Sequence, residues 1–147
     1  MRILFIYLFP LLVWAQSDAA VEKAILAANA QVAQAAESRD AGRLFSFMVD
    51  TSKGSIIQDG VLSLTPAEAR ARVEPGLERG PGVKYRWKRQ HVTVISPDVA
   101  LLVSEGDSII DTGTGTVTRP FVQTTVWVLR DGAWKILHAH QSTPRNL

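Results

Sequence analysis

The chain has 147 residues, 46% of them apolar, and carries 16 Lys and Arg against 14 Asp and Glu, for a net charge of +2 with no cysteine. That is one domain's worth of chain with enough apolar residues for a full core. It excludes a thiol nucleophile, a lipidated cysteine, disulfides and any cysteine-based zinc site, and the near balance of charge argues against an acidic polymer as partner.

Arg2 is followed by an apolar run from Ile3 to Trp14, broken only by Pro10, and Val13-Trp14-Ala15 supplies small residues at a cleavage spacing. This pattern predicts a signal peptide over residues 1–16, too short for a membrane anchor and interrupted by proline as an interfacial helix. Residues 17–147 then form one mature domain, secreted or periplasmic, with no membrane association after cleavage. Losing Arg2 leaves 15 basic and 14 acidic residues, a net charge of +1.

Asp18 is expected to cap a helix from Ala19 to about Ser38, with Val21, Ile25, Ala28, Val32 and Ala35 as one buried stripe. Core packing accounts for this stripe, and the sequence calls for no cofactor. Asp40 caps a second, shorter helix bearing Leu44, Phe45, Phe47 and Met48. A small hairpin over Gly54 to Leu64 turns at Asp59-Gly60. Thr65-Pro66-Ala67-Glu68 combines a cap, a first-turn proline and a capping-box glutamate, and that helix is expected to end near Glu74, before Pro75-Gly76.

From Val83 the chain reads as strand: Val83 to Ile95, Val99 to Ile110, then a long hairpin over Phe121 to Thr143 turning at Asp131-Gly132. Pro120 predicts an edge, a bulge or a kink at its position. Counting outward from the turn sets Leu129 opposite Trp134, Trp127 opposite Ile136, Thr125 opposite His138, Gln123 opposite His140 and Phe121 opposite Ser142. All of these project from one face, because side chains alternate across a strand. Two imidazoles, an amide and two hydroxyls beside two tryptophans describe a pocket wall. The expected ligand-binding residues are therefore Gln123, Thr125, Trp127, Trp134, Ile136, His138 and His140.

The element order, with SRDAGRLFSFM, the QDG hairpin, SPDVALLV and DGAWKILHAHQS, resembles the nuclear transport factor 2-like superfamily, and within it the SnoaL-like proteins. There is a weaker likeness to the association domain of calmodulin-dependent kinase II. The resemblance covers Ser17 to Thr143. It implies an α+β, cone-shaped (cystatin-like) fold, with three N-terminal helices packed on a curved antiparallel sheet. It also implies a pocket on the concave face with Trp134, Ile136, His138 and His140 turned inward, and subunit pairing through the convex face. The fold hosts isomerases, dehydratases, cyclases, assembly domains and binders, so it leaves function open. A steroid isomerase needs a carboxylate base and a tyrosine in its oxyanion hole. Here Asp59 reads as a turn residue, the first helix has Val32 rather than tyrosine eight residues before Asp40, and the tyrosines are Tyr7 and Tyr85.

His138 and His140, two apart on one strand, are the candidate catalytic residues, as a general base and its partner. As metal ligands they need a third donor, which His91, Asp50 or Glu105 would supply only by converging on them. As plain wall residues they are satisfied by Thr125, Gln123 and Ser142. Lys84, Arg86 and Lys88, interleaved with Tyr85 and Trp87, read as the solvated face of a strand rather than a nucleic-acid site. Two functions remain open. One is a secreted domain that binds a small apolar ligand or serves as a scaffold, dimerising through its sheet. The other is a small pocket enzyme acting on an apolar carbonyl or lactone-like substrate.

Overall fold

The computed structural model describes residues 17–50 and 53–144. The expected signal peptide lies outside the described residues. Helix α1 (Asp18–Glu37) is capped by Ser17, not Asp18: the Ser17 hydroxyl accepts from Ala20 N–H, and Asp18 enters the first turn, where a negative charge suits the helix dipole. Its buried side chains are Val21, Ile25, Asn29, Ala35 and Ala36. An asparagine therefore sits in the stripe expected to be apolar. Helix α2 (Ala41–Ser46) begins as expected, with Asp40 Oδ1 accepting from Arg43 N–H at 2.8 Å. Phe47 and Met48 fall beyond it, and Phe47 O accepts from Ile136 N–H at 2.7 Å, fastening this segment to the last strand.

Strands β1 (Ser55–Gln58) and β2 (Val61–Ser63) form the small hairpin, with Asp59 and Gly60 both at positive φ, 49° and 83°, as a tight two-residue turn requires. Helix α3 (Pro66–Arg79) starts at the Thr65 cap, and the Glu68 carboxylate reaches back to Leu64 N–H at 2.8 Å. It does not stop at Glu74 but carries Pro75 inside it. Ala71 and Pro75 are exposed, so water can take the carbonyl that proline leaves without its donor.

The remaining strands are β3 (Val83–Ser96), β4 (Val99–Asp111), β5 (Thr116–Arg130) and β6 (Ala133–Ser142). They build one six-stranded sheet in the order β2-β1-β6-β5-β4-β3. Every pairing is antiparallel except β1 with β6, which is parallel, so the sheet is mixed where a purely antiparallel one was expected. Pro120 lies on a stretch of β5 that has outrun β6, whose pairing begins at Val122, and it is tolerated there as on an edge. The core between α1 and the sheet is Val21, Ile25, Met48, Ala100, Leu102, Trp127 and Ile136.

The long hairpin departs from simple counting. Leu129 faces Trp134 and Trp127 faces Ile136, but a bulge between Val126 and Trp127 shifts the register by one. Beyond it Val126 faces His138, Thr125 faces Ala139, Thr124 faces His140, Gln123 faces Gln141 and Val122 faces Ser142. Leu137 is the extra residue. A one-residue slip sends every later side chain of that strand to the other face. The expected pairs Thr125–His138, Gln123–His140 and Phe121–Ser142 do not form. His138 and His140 project from the face opposite Thr125 and Gln123.

Candidate binding cavity

With the register fixed, the concave face of β5 and β6 presents Gln123, Thr125 and Trp127 beside Ile136, Ala139 and Gln141. Helices α1 and α2 roof this face and leave a cavity of about 170 Å³. Its roof is Asn29, Val32, Ala33 and Ala36 from α1 and Leu44, Phe45 and Met48 from α2 and the segment after it. Its floor takes Gln123, Thr125, Ile136 and Ala139 from the hairpin, and Tyr85 and Trp87 from β3.

The aromatic part of the wall is preassembled. Tyr85 and Trp87 alternate with the basic residues of β3, so both rings project inward while Lys84, Arg86 and Lys88 project outward. The two rings stack at 6.1 Å, and Phe121 meets both edge-on, at 5.7 and 5.5 Å. Gly106 lies across from Trp87 on one side and Phe121 on the other, and its missing side chain leaves the space those rings fill. Burial, helped by the charge of Glu37, pushes the Tyr85 phenol above its ordinary value, so it remains a neutral donor.

The polar atoms divide into those already committed and those left over. Trp127 Nε1 donates to Thr125 Oγ1 at 2.8 Å, which spends that hydroxyl inside the fold. Gln123 Nε2 donates to Asn29 Oδ1 at 3.4 Å. Asn29 is only 1% exposed, and its Nδ2 has no partner among the described residues. Ser104, directly across from Gln123 on β4, has an equally orphaned hydroxyl.

The seven residues expected to form the site are thus separated. Gln123, Thr125 and Ile136 line the cavity, and Trp127 and Trp134 belong to the core and its margin rather than to the lining. His138 stands outside the lining, with Nδ1 2.8 Å from Ser55 Oγ. His140 is exposed yet contributes to the lining beside Ile57 and Gln141. Asn29, Tyr85 and Trp87 were not foreseen in this role. Among the described residues no three of His, Cys, Asp or Glu are grouped to hold a metal ion, and Glu105 is paired instead with Arg89. No helix among them is long and apolar enough to cross a membrane.

The outer face of β3 and β4 also accounts for the basic run. Arg86 and Lys88 donate to the two oxygens of Asp107, each at 2.7 Å, and hold its carboxyl below the usual range, Lys88 contributing most. Charged outward residues and a bulge beside Lys88 also protect β3, an edge strand of the sheet, from pairing with other chains.

Residues 25–146 match the family model of the SnoaL-like domain. No curated protein matches the chain by sequence. Among solved structures, a proposed dehydratase of the NTF2-like family from Streptomyces avermitilis is 18% identical over 88% of this chain and 99% of its own, with a TM-score of 0.79. A proposed scytalone dehydratase from Novosphingobium aromaticivorans is 13% identical over 87% of each chain, at 0.77. A proposed calcium/calmodulin-dependent kinase II association domain from Xanthomonas campestris is 16% identical over 98% of this chain and 100% of its own, at 0.70. At such identities the likeness speaks for the fold alone.

Proposed function

We propose a binding role for this chain, which belongs to the SnoaL-like domain family: it is an exported protein that holds a small apolar molecule between α1, α2 and the concave sheet. The observation that supports this reading is the chemistry of the lining. It is apolar with a few neutral amides, and includes no Asp, Glu, Lys or Arg. A concave, largely apolar cavity with a few converging polar groups is the usual form of a small-molecule site. General acid–base work needs a titrating group within reach of the reacting atoms, and most of this wall has none.

The test is a titration with tetralin, an uncharged hydrocarbon, followed through tryptophan fluorescence, since Trp87 lines the cavity. Saturable binding is expected, and Ala33→Phe, which fills the space from the helix side, should abolish it with the fold intact. Absence of saturation, or equal binding by the filled variant, would overturn the reading.

A second reading, a pocket enzyme of the isomerase, dehydratase or cyclase type, draws on the presence of both His140 and Tyr85 in the lining. In that case His140 would take a proton and the neutral phenol would give one. His138 has no part in it, since it is absent from the lining and hydrogen-bonded to Ser55. His140→Gln separates the two readings: it leaves binding in place and removes turnover only if the second is correct.

The proposal extends to export and assembly. Arg2 and the apolar run after it support removal of residues 1–16, and the intact mass of exported protein tests it. The outer face of the sheet, where Val103 and Val122 are exposed, supports pairing with a second copy.

A further inference from the structure

We infer that the cavity selects an uncharged molecule of one or two fused rings carrying a hydrogen-bond acceptor, which Asn29 Nδ2 holds; the inference rests on the binding reading above and gives its ligand a chemistry.

Size comes first. A cavity of about 170 Å³ is close to the ~150 Å³ that accepts a benzene-sized molecule in a packed core, and well below the ~300–1,000 Å³ of drug-sized sites. One ring fills it, and a second fused ring is as much as it can take. Shape follows from the wall. Tyr85 and Trp87 offer aromatic surface that Phe121 holds in place, and a flat ring loses least in meeting a rigid flat wall. Charge is disfavoured by the lining, which has no Asp, Glu, Lys or Arg to pair with a buried ionic group and whose one imidazole, His140, is exposed.

The acceptor is required by an asymmetry within one amide. Asn29 Oδ1 is satisfied by Gln123, and its Nδ2 is buried and unpartnered. Buried donors are nearly always paired, because desolvating one without a partner is unfavourable. The other buried residues of α1, Val21, Ile25, Ala35 and Ala36, are all apolar, so an amide stands apart among them. With Gln123 donating to Oδ1, Nδ2 is the end of that amide left for a ligand. A ligand carbonyl or ether oxygen completes the set, whereas a plain hydrocarbon leaves Nδ2 as it is.

The experiment compares 1-tetralone, tetralin and 2-naphthoate, matched in shape and differing in acceptor and charge, on the full chain and on Asn29→Leu. 1-Tetralone is expected to bind about tenfold tighter than tetralin, the worth of one hydrogen bond to a buried donor, with 2-naphthoate weakest. In Asn29→Leu the preference for the ketone over tetralin should vanish. A readout on the unaltered protein guards against a misfolded variant: the Asn29 side-chain amide resonances should shift with 1-tetralone and stay in place with tetralin. Equal binding of ketone and hydrocarbon, with the amide unmoved, would mean that a water alone satisfies Asn29, and would overturn the inference while leaving the binding reading standing. Binding of 2-naphthoate as tight as that of the ketone would overturn the requirement for an uncharged ligand. Failure of all three probes to bind would overturn both.

Discussion

Trp127 and Thr125, two apart on β5 and on the same face, are joined by a hydrogen bond from the indole Nε1–H to the threonine hydroxyl, with both side chains buried. The residue that simple counting would pair with a histidine is instead the acceptor for a core tryptophan. Thr125→Val keeps the shape and removes the acceptor, leaving the buried indole N–H without its partner. A loss of about 1–3 kcal/mol is expected, measured by denaturant unfolding. A change below ~0.5 kcal/mol would show that the indole finds another partner.

What was legible in the sequence was local. Asp131-Gly132, Asp59-Gly60 and Thr65-Pro66-Glu68 each carry their geometry within four residues, and all three are found where expected. The bulge at Leu137 depends on how two long strands settle against the helices, so counting from the turn passed over it. One trace of it is visible: the inward residues Ile136 and Ala139 are three apart, which breaks the period of two. Asn29 left a similar trace, as a polar residue four beyond Ile25 in an apolar helical stripe. The inward turn of Tyr85 and Trp87 had no such signal, because alternation alone does not say which face of β3 is concave. Pro75 would ordinarily end a helix, and exposure of the helix side that carries it allows the exception.

Asp107 predicts a specific acid response. Its carboxyl is nearly inaccessible, and hydrogen bonds from Lys88 and Arg86 lower its pKa from an ordinary value of 3.8. A group whose pKa is lower in the folded state stabilises the fold above its unfolded value and loses that contribution as pH falls through the folded one. Thermal midpoints of the unaltered protein should therefore stay level from neutral pH to about pH 4 on this group's account and fall below it. Asp107→Asn should start lower at neutral pH and show less of that fall. Parallel curves for the two proteins would refute the linkage.

Assembly is predicted from the outer face of the sheet. Val122 is 51% exposed and Val103 43%, and Leu101 and Val126, directly paired across β4 and β5 and half-buried, continue the same face. A second copy placed on this face by a two-fold axis would cover the strip in both chains. Sedimentation should show a dimer at micromolar concentration. Val122→Glu sets a second carboxylate across from Glu105 on the neighbouring strand and should leave a folded monomer. An unaltered protein that sediments as a monomer would end this proposal.

Gly106→Ala tests the aromatic wall. The glycine faces Trp87 on β3 and Phe121 on β5, and a methyl group there would lie 2.7 Å from Arg86 O and 3.3 Å from both Phe121 Cζ and Trp87 Cε3. The carbonyl belongs to a paired strand and has nowhere to swing, so the strands must part or the rings must move. Either response opens the stacked pair that Phe121 braces. A destabilisation of about 1–3 kcal/mol is expected, as for overpacking in a filled core. The near-ultraviolet circular dichroism of Tyr85 and Trp87 should change with it, because their mutual orientation sets that signal. The same displacement reaches the cavity, so tetralin should bind more weakly to Gly106→Ala even at temperatures where the variant is fully folded. Normal stability together with an unchanged aromatic spectrum would show that β4 can yield at this position, and that the room left by Gly106 is not what seats the rings.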